Sequence, residues 1–279
     1  MEIYYVNTYG EKVILNSWPC MLQNQEELVE YEWQSEIKEM REHREKILKF
    51  YMKLTKRKME LSIFANTKEE LPETINRMHR IFEKDIIENT PGKLFVGETY
   101  LECFCFSGKA DEYEEDFYTA DYEVGVLPAK PFWIKEEKTT FEKYGDGGEN
   151  TFLDFPYEFS YDYMGAQKGI AELNIEHYAE SDFRMIIYGP VKNPQILIDG
   201  YSYQIYTTVE ENEYLEIDSA AGTVIRTRQD GSQIDEFDNR DFENSVFRKI
   251  PNGRLPVNWS GDFGWDIIIF KERSAPEWK

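Results

Sequence analysis

Residues 185–206, MIIYGPVKNPQILIDGYSYQIY, constrain the fold more than any other stretch of the chain. Residues 185–188 are an apolar run stopped by Gly189-Pro190. A second run, 195–198, follows Asn193-Pro194. Tyr201, Tyr203 and Ile205 then alternate with polar residues after Asp199-Gly200. Asp-Gly between two such runs predicts a tight hairpin, because a type I′ turn needs φ > 0 at both central residues. The C-terminal part of the chain is therefore expected to be a β-domain built around three short strands.

The residues after this core fit that expectation. Residues 213–218 alternate, with Leu215 and Ile217 inward and Glu216 and Asp218 on the polar face toward solvent. Segments 223–228 and 232–237 flank Asp230-Gly231, a second hairpin signal. Pro251-Asn252-Gly253 is a turn, and 257–260 and 265–270 read as strands. Ile267, Ile268 and Ile269 are consecutive, as in a strand covered on both faces. Many short strands separated by turn residues predict a sandwich.

The N-terminal half reads as α+β. Residues 29–33 alternate Val29, Tyr31 and Trp33 with glutamates, as a strand does. Residues 36–58 are ambiguous in pattern, with heavy Glu, Lys and Arg usage favouring a solvated helix. This stretch also inverts the local charge: Lys46, Lys49, Lys53, Lys56, Arg57 and Lys58 occur with no acid between them. Such a run is either a solvated face or a contact with an acidic surface. In so acidic a protein, copies of the chain supply that surface. A basic patch on a different, acidic patch is a heterologous contact, which closes into rings.

Met59, Leu61 and Ile63 alternate as a strand. Leu71, Ile75, Met78, Phe82 and Ile86 follow at helical spacing behind a Thr67/Glu70 capping box, predicting a helix over 72–87. His79 beside this stripe is a packing residue, since no second ligand stands at metal spacing. Segments 93–96 and 99–106 form a hairpin. Cys103 and Cys105 share one face of it and do not pair with each other. Residues 107–117 read as an acidic loop, 118–127 as a strand. Strands around one helix give the α+β layout.

Residues 143–150, KYGDGGEN, read as a junction, and not as a phosphate loop because the GK[ST] ending is missing. The stretch 152–163, FLDFPYEFSYDY, is an aromatic strap for packing on its own domain or a neighbour, or for binding sugar rings. The expected division is an N-terminal domain at 1–143, a linker and strap at 144–168, and a C-terminal domain at 169–279.

At 279 residues the chain has room for two such cores. Its formal charge of −22 argues against sequence-specific nucleic-acid binding, because an acidic surface repels phosphate. The beginning of the sequence lacks the pattern of a signal peptide, and no apolar run is long enough to span a bilayer. Three cysteines fit synthesis in a reducing cytoplasm.

Nothing resembles an active site. His43, His79 and His177 stand in unrelated contexts, and no serine lies in a GxSxG elbow. A hydrolase is disfavoured by the missing nucleophile or metal set. Trp259 and Trp265, in WSGDFGW, are either buried core or sugar-stacking platforms. The residues alone point to a structural or binding protein with no cofactor, metal or catalytic group.

Five runs in order, with the C-terminal ending, carry a resemblance. IFEKDIIENTPGKLFVGETYLECF and EVGVLPAKPFWIKE stand in the first half. IYGPVKNPQILIDGYSYQ, EYLEIDSAAGTV and VFRKIPNGRLPVNWSGDFGWDIII, with the ending ERSAPEW, stand in the second. Together they resemble the distal tail (Dit) proteins of siphophages and prophages of Gram-positive hosts. The match is weakest over 1–60. The resemblance implies a mainly β chain, with a belt-like N-terminal domain of sheet plus one helix and a galectin-like C-terminal β-sandwich. It implies a homohexameric ring, in the virion tail, between the major tail tube protein and the tail-tip or tail-associated protein, with the tape measure protein as a further partner. DNA would pass through the hole. The rival expectation is a carbohydrate-binding module using Trp259 and Trp265 on host-wall sugars. No catalytic residue carries over.

Overall fold

A computed structural model describes residues 1–40, 44–114, 118–143 and 169–277. The chain forms two compact units, one of Met1–Lys135 with Glu272–Lys279, the other of Glu136–Lys271. The C-terminal residues are tied to the first unit by Lys135, whose Nζ lies 2.7 Å from Glu277 and 3.2 Å from Glu98. The stretch 144–168, expected to be linker and strap, lies outside the described residues.

The first unit begins with strands β1 (Ile3–Val6), β2 (Lys12–Ile14), β3 (Asn16–Ser17) and β4 (Cys20–Leu22), then a short helix α1 (Gln25–Val29). Strands β5 (Trp33–Met40), β6 (Arg44–Met52) and β7 (Arg57–Phe64) precede the long helix α2 (Glu70–Glu88). Strands β8 (Gly92–Val96), β9 (Thr99–Glu114) and β10 (Thr119–Pro128) follow, and β11 (Trp133–Phe141) begins in this unit and ends in the second. The strands pair antiparallel: β4 with β7, β7 with β10, β10 with β9, β9 with β8, β8 with β1. Leu71, Met78, Ile81 and Phe82 of α2 pack on Tyr5, Leu61, Leu94, Leu101 and Val124 to make the core. That contact, more than helix propensity, keeps α2 folded.

The ends of α2 follow from side-chain chemistry. Thr67 Oγ1 accepts from the Glu70 N–H at 3.3 Å, and the Glu70 carboxylate accepts from the Asn66 N–H at 2.9 Å. Asn89 closes the helix in the left-handed conformation, φ 51°. The expected apolar stripe is altered near its end. Ile86 is exposed, and the fully buried residue there is Asp85. Its carboxylate accepts from the Tyr5 hydroxyl at 2.5 Å and from the Thr8 N–H and hydroxyl at 2.9 and 2.8 Å.

Three local expectations for this unit are corrected. Residues 25–29 are helical, and a strand begins only at Trp33. The charged stretch from 36 is not a helix but a β-ribbon, because its apolar residues have cross-strand partners. The expected loop at 107–117 is largely strand: β9 runs to Glu114 and pairs with β10, where backbone hydrogen bonds form whatever the side-chain polarity.

The second unit holds β12 (Gly169–Ile175), β13 (Asp182–Tyr188), β14 (Val191–Lys192), β15 (Gln195–Ile198), β16 (Tyr201–Gln204) and β17 (Thr208–Val209). It continues with β18 (Tyr214–Asp218), β19 (Thr223–Thr227), β20 (Gln233–Asp235), β21 (Gly253–Trp259) and β22 (Trp265–Arg273). One sheet runs β20-β19-β18-β13-β22, the other β12-β21-β15-β16. Their inward residues interdigitate in one core, Ile196, Ile198, Tyr203 and Val257 from one layer against Met185, Ile187, Ile217 and Ile267 from the other. The expected sandwich is present, and its hairpin turns as the residues require: Asp199 and Gly200 have φ 51° and 76°. The chain is mostly β, as expected.

Asp218 departs from the expected polar face. It is buried and accepts from Arg184 Nε and Nη2 at 3.2 and 3.0 Å. A second buried network centres on Glu236, which accepts from Arg226 Nε at 2.7 Å, from the Thr207 hydroxyl at 3.0 Å and from Asn239. Burial alone would raise its pKa, but these donors, Arg226 foremost, hold it below the ordinary glutamate value.

Two outcomes follow for this sandwich. Trp265 is fully buried, with Phe141 stacked on it at 4.2 Å, so Trp265→Ala is expected to destabilise the unit by about 3–5 kcal/mol in urea unfolding. The Glu236 contribution to stability is fully present above the unfolded glutamate pKa. It is lost as pH falls through the lower folded value. Unfolding curves of wild type and Glu236→Gln should therefore converge as pH drops; a gap constant down to acid pH would contradict this assignment.

Candidate subunit-contact surface

Strands β5 and β6 pair with each other and with no other described strand. A two-stranded ribbon is marginal alone in water, so its stability depends on what covers it. Residues directly opposite across the ladder share a face. Trp33 stands opposite Met52, Ser35 opposite Phe50, and Ile37 opposite Ile47. Gln34 opposite Tyr51, Glu36 opposite Lys49 and Lys38 opposite Lys46 make the other face. The register shifts between Glu36 and Ile37 and leaves Leu48 without a partner, as in a β-bulge. The ribbon is thus amphipathic.

Its apolar face lies open. Trp33, Ile37, Ile47 and Phe50 are 44%, 53%, 52% and 59% exposed. Apolar side chains this exposed on consecutive rungs mark an interaction surface rather than scattered surface residues. At the far end of the same face, Glu39 stands opposite Glu45.

The six basic residues singled out in the sequence do not form one patch. Lys46 and Lys49 lie on the polar face of the ribbon, where Lys49 pairs with Glu36 at 3.1 Å. Lys53 and Lys56 stand between β6 and β7; Lys53 lies 5.9 Å from the Tyr51 ring and Lys56 4.9 Å from the Phe106 ring. Lys58 pairs with Glu123 at 2.9 Å. Arg57 turns inward, donates to the Leu28 carbonyl and lies over the Trp133 ring at 5.9 Å. Burial pushes its guanidinium below the ordinary arginine value. Arg57 therefore holds α1 to the sheet and is not available to a neighbour.

The two tryptophans weighed as sugar platforms lie in the sandwich core, 5% and 0% exposed. Trp259 donates its indole N–H to the Phe263 carbonyl at 3.1 Å and meets Phe141 and Trp265 edge-on. Neither presents a ring face to solvent. Trp259 is one of the residues lining a cleft of about 280 Å3, together with Asn193, Gln195, Asn258 and Asp262.

No three His, Cys, Asp or Glu among the described residues are grouped to hold a metal. Cys20, Cys103 and Cys105 are free and buried. His79 packs against Tyr122, Nε2 to hydroxyl 2.5 Å. No helix among the described residues is long and apolar enough to cross a membrane.

The ribbon was missed in the sequence because the bulge hides its period. Ile47 and Phe50 are three apart, which in a regular strand would put them on opposite faces. The signal that could have found it lies in β5, where Trp33 and Ile37 alternate with Gln34, Glu36 and Lys38.

No protein-family model matches the chain, and no curated protein matches it significantly. Solved structures do. A chain of the phage P2 baseplate in its activated conformation with Ca covers 99% of this chain and is itself 99% covered, with TM-score 0.67 and 13% identity. The same baseplate with Sr gives TM-score 0.65 and 15% identity at the same coverage. The SPP1 Dit protein, described as a paradigm of the hub adsorption apparatus in phages infecting Gram-positive hosts, gives TM-score 0.60 and 8% identity over 98% of both chains. Across both of its units, the chain has the fold of these phage baseplate and Dit hub proteins.

Proposed function

We propose that the chain is a structural protein of a phage or prophage tail, a hub ring at the distal end of the tail tube. Six copies form the ring, which joins the tube to the tail-tip or baseplate protein and lets DNA leave through its hole. The observation that carries this reading is the likeness to hub and baseplate chains over 98–99% of the length, both units together. The open apolar ribbon supports it, since a ring subunit needs a surface that only another copy covers.

In this reading the partners are other copies, the major tail tube protein, the tail-associated protein at the tip and the tape measure protein. The protein resides in the virion tail after synthesis in the host cytoplasm. It acts through surfaces and makes or breaks no bond. The net charge of −22 suits a conduit wall, because repulsion keeps DNA from adhering as it passes. Of the six basic residues, Lys53 and Lys56, which form no ion pair with a described residue and stand outside the polar face of the ribbon, remain for a ring contact.

Electron micrographs of the purified protein are expected to show six-fold rings; single particles at every concentration would overturn the reading. Ile47→Asp with Phe50→Asp puts charge on the open apolar face. It is expected to weaken assembly about tenfold or more while leaving the melting temperature nearly unchanged. Lys53→Ala with Lys56→Ala is expected to weaken assembly several-fold, read by mass photometry; unchanged particle masses would remove these lysines from the contact.

A further inference from the structure

Helix α2 carries a cationic edge that nothing above uses. Arg77 and Arg80 are exposed and form no ion pair with any described residue. Arg80 acts electrostatically on Glu11, but Lys84 already holds that carboxylate at 2.6 Å. Arg77 acts on the buried Cys20 thiol, and it shares the helix surface with Glu73 one turn before it and Glu83 beyond it without an ion pair to either. Unpaired arginines are notable in a chain with 54 acids and 32 Lys and Arg.

Beside Arg77 opens a groove of about 270 Å3, lined by Val13, Ile14, Trp18, Cys20 and Met78 among others. Trp18 forms its wall, 56% exposed and stacked on Phe64 at 6.0 Å. The volume is below the roughly 300–1,000 Å3 of small-molecule sites, and suits one or two apolar side chains.

The tip of the β5–β6 ribbon is the counterpart of this surface. Glu39 and Glu45 face each other across the ladder, and Ile37 and Ile47 are the next rung on the same face. Like charges directly opposite destabilise a ribbon unless a cation meets them. Carboxylates so placed stand about 5 Å apart at Cβ, and Arg77 and Arg80, three apart on a helix, stand about 5–6 Å apart. The two pairs match in charge and in spacing.

We infer that the ribbon tip of one copy docks on α2 of the next, Glu39 and Glu45 meeting Arg77 and Arg80 while Ile37 and Ile47 enter the groove. This rests on the ring reading above and names the two surfaces that make the ring. They differ from each other, so the contact is heterologous and propagates head to tail until it closes. The Lys38/Lys46 rung stays on the outer, wet face of the ribbon.

Charge reversal in two halves tests the contact. Glu39→Lys with Glu45→Lys, or Arg77→Glu with Arg80→Glu, is each expected to weaken assembly at least tenfold in analytical ultracentrifugation. Mixed in equal amounts, the two variants should assemble again, because every ribbon of one then meets a complementary helix of the other. The chain carrying all four reversals should assemble like wild type. All four positions are exposed, and circular dichroism checks the folds; if the helix reversal unfolds, Arg77→Gln with Arg80→Gln takes its place, with a smaller loss expected. Wild-type-like assembly of either folded variant, or no recovery on mixing, overturns this contact and leaves the ring reading standing. A wild type that never assembles overturns the ring reading, and the contact with it.

Discussion

An antiparallel strand has two faces, and in water each apolar one must be covered by a second layer. The chain meets this constraint in three ways. In the C-terminal unit two sheets cover each other, and the core is closed by residues such as Ile196 and Tyr203 against Met185 and Ile217. In the N-terminal unit helix α2 is the second layer over β7–β10 and β1. In the ribbon of β5 and β6 the constraint is left unmet within the described chain, since Ile37, Ile47 and Phe50 are more than half exposed. The two closed cores make the chain a folded body. The open face leaves apolar area that no described residue covers.

Helix α2 serves both sides of that argument, and its rotation is set by buried polar chemistry. A lone buried carboxylate is costly unless its lone pairs are taken. Asp85 has three donors on it, from Tyr5 and Thr8, which lie in and just after β1. Burial, with Cys105 and Asp85 nearby, pushes the Tyr5 phenol far above its ordinary pKa, so it stays protonated and donates. Gly92 is required beside them, because a Cβ there would collide with the Tyr5 hydroxyl and the Asp85 carboxylate. This cluster pins one face of α2 to β1. Arg77 and Arg80 then have no choice but the outer side, next to the groove that β2 and Trp18 wall.

What could be read in the sequence was what local chemistry decides. Asp199-Gly200 forced its hairpin, and the stripe Leu71, Met78, Phe82 found the core side of α2. What could not be read depended on distant partners. Arg57 belongs to a run of cations, yet only its tertiary neighbours, the Leu28 carbonyl and the Trp133 ring, draw it inward. Asp218 sits at a polar position of an alternating strand, yet Arg184 on the next strand allows it to be buried. The ribbon failed for a different reason: one bulged residue, Leu48, broke the period that would have exposed its apolar face.

Charge decides how copies of such a chain can meet. Many cations are held internally: Arg226 by Glu236 and Glu213, Arg184 by Asp218, Lys138 by Asp266, Lys135 by Glu277. The free surface is left strongly acidic, and copies repel at long range. That repulsion acts over many ångströms and is screened within a Debye length of about 10 Å at 0.1 M salt. Contacts at a few ångströms, partly closed off from solvent, are screened much less, and burial of an apolar ribbon face is not weakened by simple salts at all. Moderate salt therefore removes more of what opposes association than of what holds it. A ring built this way does not need a neutral surface. In the contact proposed above, Arg77 and Arg80, which pair with no described residue, stand beside apolar area, so that attraction begins where long-range repulsion has already been screened away.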